Sequence, residues 1–71
     1  MKLPYKDIFV AEVSEYITNP FSGEGCMLPP EAVAVYDTLK GCEIFGDYAG
    51  LRKGINWFIQ NNAEAYMVLL D

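Results

Sequence analysis

The sequence of 71 residues contains no histidine, and only five of its residues are lysine or arginine. Without histidine, a cysteine or serine nucleophile would need a carboxylate, a lysine or a helix terminus to activate it. The ten acidic residues bring the net charge to −5, which repels a nucleic-acid backbone. These absences favour a protein that is not an enzyme, that needs no cofactor and that does not bind nucleic acid.

Cysteine is scarce too, because Cys26 and Cys42 are the only two in the chain. A structural zinc site needs four cysteine or histidine ligands, so the sequence excludes such a metal site within one chain. Cys42 falls on the apolar face of a predicted helix and is interpreted as a core residue. Cys26 stands near the start of that helix, where a thiol could be acidified, although an ordinary loop or half-buried thiol is the favoured interpretation. The sequence leaves open whether Cys26 is reactive, and we expect both thiols to be free.

Long hydrophobic runs are missing as well. No stretch reaches the roughly 18 to 20 uncharged apolar residues that span a membrane, and the amino terminus carries charges where a signal peptide would be apolar. We therefore expect a soluble, cytoplasmic protein. Yet 52% of the residues are hydrophobic, which is more apolar area than a chain of 8.0 kDa easily buries. This surplus predicts a homodimer or a protein partner.

Apolar residues at helical spacing predict an all-α fold, a single domain over residues 1–71 with three helices and a short fourth. The first helix is expected over residues 5–17, although the same segment could form a strand. Asn19-Pro20 would end it, since the residue before a proline avoids the α region. The glycine- and proline-rich stretch that follows is interpreted as a long loop between helices 1 and 2.

The later helices have clearer boundaries. A pair of prolines suits the first turn of a second helix over residues 30–45. Gly46 would end that helix in the left-handed conformation, and Asp47 would cap a third helix over residues 48–61. The C-terminal residues are expected to form the short fourth helix or a terminal strand. The third helix is predicted to bury one apolar stripe, formed by Tyr48, Leu51, Ile55, Phe58 and Ile59.

Trp57 is the residue we expect to anchor a partner. It lies near two glycines spaced four apart, which would leave a shallow trough on the helix, and near Lys53. Large rigid aromatics and cations dominate the energetics of interfaces. The alternative is that the fourth helix or the long loop folds over Trp57 and makes it part of the core. The predicted partner-binding residues are Trp57, Lys53, Arg52, Asn56 and Phe21.

Two other functions are compatible with the sequence. Arg52, Lys53, Asn56 and Gln60 on the third helix are residue types that read base edges in the major groove, so the helix pair could be a DNA-contacting helix-turn-helix. The acidic balance of the chain weighs against this alternative. The same acidity would suit a weaker possibility, a surface that mimics DNA for a nuclease.

One run of the chain, "NPFSGEGCMLPPEAVAVYDTLKG" with the later "FGDY", "LRKGINWF" and "YMVLLD", resembles small accessory proteins carried by bacteriophages and related mobile elements. The resemblance covers most of the chain from Asn19 and involves no mechanistic motif. It implies a bacterial cytoplasm, or the host cell of a phage, and a protein that binds and modulates a host or phage protein. No functional residue is implied by it.

Overall fold

The computed structural model describes residues 3–6 and 8–70. A small antiparallel sheet precedes the helices, so the fold is α+β and the all-α prediction is wrong. The elements in chain order are β1 (Glu15–Thr18), β2 (Gly25–Leu28), α1 (Pro30–Phe45), α2 (Tyr48–Asn61), α3 (Ala63–Ala65) and a π-helical segment (Tyr66–Leu70).

The predicted first helix does not form. Residues 8–14 have no regular secondary structure, and β1 pairs with β2 in a register that places Tyr16 opposite Met27 and Ile17 opposite Cys26. The second half of the predicted long loop is therefore a strand. Strand pairing satisfies the backbone hydrogen bonds of both segments, and the β-branched and aromatic residues of β1 suit it. Asp7, which the predicted helix includes, lies outside the described residues.

The turn of this hairpin is organised by Asn19. The Asn19 N–H donates to the Glu24 carbonyl at 2.7 Å, and the Gly23 N–H donates to the Asn19 carbonyl at 2.9 Å. The Asn19 Oδ1 accepts from the Phe21 N–H at 2.9 Å. Gly23 adopts φ +78°, a left-handed conformation that glycine reaches without strain.

The second and third predicted helices are confirmed as α1 and α2, and a short helix follows them. Gly46 ends α1 at φ +77°, and the Asp47 N–H donates to the Cys42 carbonyl at 2.8 Å. Asp47 then caps α2, because its Oδ1 accepts the Gly50 N–H at 3.0 Å. The two helices are thus joined by two residues and pack as neighbours. Within the described residues, no helix combines the length and the hydropathy needed to cross a bilayer.

The core lies between α1 and α2 and is closed by β2 and by residues 63–70, the C-terminal segment. The face that α2 buries differs from the predicted stripe, because Tyr48 and Ile59 are exposed while Gly54 is buried. An added Cβ at Gly54 would lie 2.8 Å from Leu39 side-chain carbons, so this glycine lets the two helices approach closely. The buried hydrophobic cluster is formed by Leu28, Ala32, Val33, Val35, Leu39, Trp57, Phe58, Ala65 and Leu69.

Candidate partner-binding surfaces

The trough predicted beside the two glycines of α2 is filled from within the chain. The Tyr5 hydroxyl donates to the Gly50 carbonyl at 2.7 Å, and it also reaches the place that a Cβ of Gly54 would occupy. Burial raises the pKa of Tyr5 to about 12, and the charges of Cys42 and Asp47 add to the effect. The trough therefore holds the amino-terminal segment and is not available to a partner.

Trp57 is 6% exposed and belongs to the core. Its ring meets Phe58 edge to face, with the ring centroids 5.1 Å apart. It forms part of the wall of an open groove of about 680 Å³, and Lys53 and Asn56 line the same groove. The other lining residues are Leu3, Pro4, Gln60 and Asn61.

The predicted binding residues thus divide between two places. Trp57, Lys53 and Asn56 share the groove, and Arg52 is exposed on α2 without lining it. Phe21 lies elsewhere, at a second cavity, and it does not cover Trp57.

That second cavity, the Phe21 cleft, has a volume of about 250 Å³ and lies between the hairpin turn, the two long helices and the C-terminal segment. Lys40 lies at its rim, where its Nζ is 3.6 Å from the Glu43 carboxylate and 5.5 Å from the centre of the Tyr36 ring. Phe21 itself is 97% exposed. The remaining lining residues are Asn19, Pro20, Leu39, Leu51, Ile55, Leu69 and Leu70.

A third feature is the turn cluster, formed by Ile44, Phe45 and Tyr48 where α1 meets α2. These side chains are 79%, 88% and 74% exposed. The helical pattern placed Tyr48 in the buried stripe of the third helix, and that prediction is wrong because Tyr48 is exposed. The position of the cluster beside Gly46 and Asp47 was the available signal, because residues at a helix-helix turn lie at the end of the core.

The two cysteines are free and half-buried. Burial raises the pKa of the Cys26 thiol, with a further contribution from Glu64. Burial also raises the pKa of the Cys42 thiol, and Asp47 adds to that shift. Thiols of this kind stay protonated at neutral pH and are poor nucleophiles. Across residues 3–6 and 8–70, no group of three or more potential ligands could hold a metal ion.

No protein-family model, no curated protein and no solved structure matches this chain.

Proposed function

We propose that this protein is a non-catalytic protein-binding module that docks another protein on the turn cluster. The observation that carries the proposal is the exposure of Ile44, Phe45 and Tyr48 at one turn. The two rings together expose roughly 300 Å², and exposed apolar area of this order on a monomer is often functional. Aromatic side chains are also the residues that anchor protein interfaces most strongly.

The charge of the chain favours a partner with a basic rim. The net charge is −5, and Asp47 is exposed between Phe45 and Tyr48. Complementary charges around an apolar centre accelerate association and select the partner. The resemblance to phage accessory proteins supports a host or phage protein of the bacterial cytoplasm as that partner.

The two cysteine thiols support a role in binding rather than in catalysis. Both Cys26 and Cys42 have a raised pKa, so neither is the activated thiolate that covalent catalysis requires. We therefore assign the site a role in recognition.

The test compares captures from bacterial lysate by tagged proteins. We expect the wild type to retain a partner that the double variant Phe45→Ser, Tyr48→Ser loses, and Phe9→Ser is the matched control because that ring is 84% exposed outside the cluster. With the purified partner, the double variant should weaken binding at least about 30-fold, the effect of losing a hot spot. Equal binding by the double variant and the wild type, with circular dichroism showing that both fold, would refute the proposal.

A second candidate function has support from α2. Arg52 and Lys53 are the only charged residues of this helix, and both are exposed beside Asn56 and Gln60. A basic helix after a tight turn is suited to DNA. Binding to mixed duplex DNA at two salt concentrations decides the matter, because phosphate contacts lose affinity steeply as salt rises. Absence of binding at low salt removes this candidate.

A further inference from the structure

We infer that the Phe21 cleft is an interface between two copies of this chain, in which each copy inserts its Phe21 into the cleft of the other. The inference rests on the proposed function and deepens it, since it makes a second copy one of the proteins that this module binds. Within one copy Phe21 borders the cleft but remains exposed, so the ring is left without a cover.

The backbone that carries Phe21 is held in place by hydrogen bonds of its turn. The Phe21 N–H donates to the Asn19 side chain at 2.9 Å, and the Asn19 Nδ2 donates to the Val68 carbonyl at 3.1 Å. Pro20 restricts the backbone between them. A ring that is 97% exposed is thereby presented on an ordered turn, so little backbone freedom is lost when it docks.

The receiving cleft is small, and its wall has an apolar part beside the polar and charged residues Asn19, Lys40 and Glu43. Its volume of about 250 Å³ falls below the roughly 300 to 1,000 Å³ of most small-molecule pockets. Leu39 and Leu69, which are buried core residues, form part of its wall together with Leu51 and Ile55. Phe21 borders this space without filling it, which leaves room for an apolar group from another molecule.

Symmetry makes a second copy the occupant that fits. In a two-fold contact the same patch meets itself, so a projection beside a cleft is complementary to its own rotated image. Charge agrees, because the rim carries both Lys40 and Glu43. Although the chain as a whole is acidic, these two groups form an ion pair within each copy, so they add no net charge to the rim and like-charge repulsion between the copies is limited there.

The area available predicts a weak dimer. The chain exposes 4863 Å², about 400 Å² more than area scaling gives for a compact monomer of this mass. A phenyl ring entering a cleft on each side buries roughly 400 Å² per copy, about half of what a stable standard interface buries. Association should therefore be visible only at high protein concentration.

The test is sedimentation equilibrium of the full chain from about 10 μM to 1 mM, concentrations that span weak association. We expect the apparent mass to rise from 8.0 kDa towards twice that value. Phe21→Ala should weaken association at least about 10-fold, while Phe9→Ala should leave it unchanged, because Phe9 is exposed and does not line the cleft. Both positions lie outside the core, so each variant should fold, and circular dichroism checks that it does.

A second measurement detects the contact itself. In an equal mixture of isotope-labelled and unlabelled protein, isotope-filtered NMR should show contacts between the Phe21 ring of one copy and the Leu69 and Ile55 methyl groups of the other. A wild type that stays monomeric at 1 mM protein, or a Phe21→Ala dimer as tight as the wild type, would overturn the inference. The lysate assay reports separately on the proposed function, because Phe21→Ala should still capture the partner that docks on the turn cluster.

Discussion

Two glycines of similar sequence context have opposite roles. A Cβ added at Gly54 would lie 2.8 Å from the Leu39 Cβ and Cδ2 atoms, whereas a Cβ at Gly41 would meet nothing within 4 Å. Both glycines lie inside helices, where glycine is less favourable than alanine by roughly 1 kcal/mol. Helix propensity alone predicts that alanine stabilises the protein equally at both positions. The packing around Gly54 makes the two effects differ.

We expect Gly54→Ala to lower the free energy of unfolding by about 1 to 3 kcal/mol, because the added methyl overpacks the contact between α1 and α2. The control, Gly41→Ala, should raise the free energy of unfolding by about 0.5 to 1 kcal/mol. Urea denaturation followed by circular dichroism measures both. If Gly54→Ala were as stabilising as Gly41→Ala, the close approach of the helices at Gly54 would be wrong.

Tyr5 predicts a pH dependence of stability. Its pKa is about 12 in the folded protein against the ordinary value of 10.0, so the unfolded chain releases this proton first as pH rises. The stabilising contribution is complete below pH 10 and is lost between pH 10 and 12.

Tyr5→Phe also loses the hydrogen bond to Gly50 and should be about 1 kcal/mol less stable at pH 7. Stability measured against pH should show the gap between wild type and variant closing above pH 10, and a constant gap would contradict this assignment.

At the scale of elements, the two long helices were predictable because their boundaries are local. The prolines before α1, the left-handed Gly46 and the capping Asp47 each act within a few residues, and each is where the sequence indicated. Local signals of this kind need no knowledge of the tertiary structure.

The hairpin was not predictable in the same way. The apolar spacing of residues 5–17 fits either a helix or a strand, and the choice depends on pairing with Gly25–Leu28 across an intervening turn. Gly25 contributes to that pairing, because a Cβ there would lie 2.8 Å from the Tyr16 ring. This contact joins residues nine positions apart in the chain. A glycine considered only in its local sequence indicates a turn, so the strand pairing was missed.

The prediction of which face of α2 is buried was wrong for a related reason. Helical periodicity predicted a buried stripe that includes Tyr48 and Ile59, whereas α2 buries Gly54 and Trp57 together with Phe58, the one member of that stripe that is buried. A helix face that carries a glycine has few apolar atoms, but it can still pack closely against a neighbouring helix. This difference in the buried face leaves Tyr48 exposed in the turn cluster and takes Trp57 into the core, so burial, not residue type, separates the proposed binding residues from the structural ones.

At the scale of the whole molecule, the C-terminal segment joins the hairpin to the helices. Ala65 and Leu69 belong to the buried cluster, and the Val68 carbonyl accepts a hydrogen bond from Asn19 at 3.1 Å. β2 packs on this segment as well as on α1. A two-stranded hairpin is marginally stable alone in water, so its order depends on this support.

Leu69→Ala should therefore have two effects that Met67→Ala does not. Leu69 is 5% exposed and Met67 is 68% exposed in the same segment, so only the first leaves a cavity, at a cost of about 2 to 5 kcal/mol. A domain of this length has roughly 4 to 10 kcal/mol of total stability, and the variant should unfold at a much lower urea concentration. Its backbone amides in β1 and β2 should also lose hydrogen-exchange protection before those of α1, because the hairpin loses its support first. Uniform loss of protection in Leu69→Ala, or an equal loss of stability in Met67→Ala, would show that the C-terminal segment does not couple the hairpin to the helices.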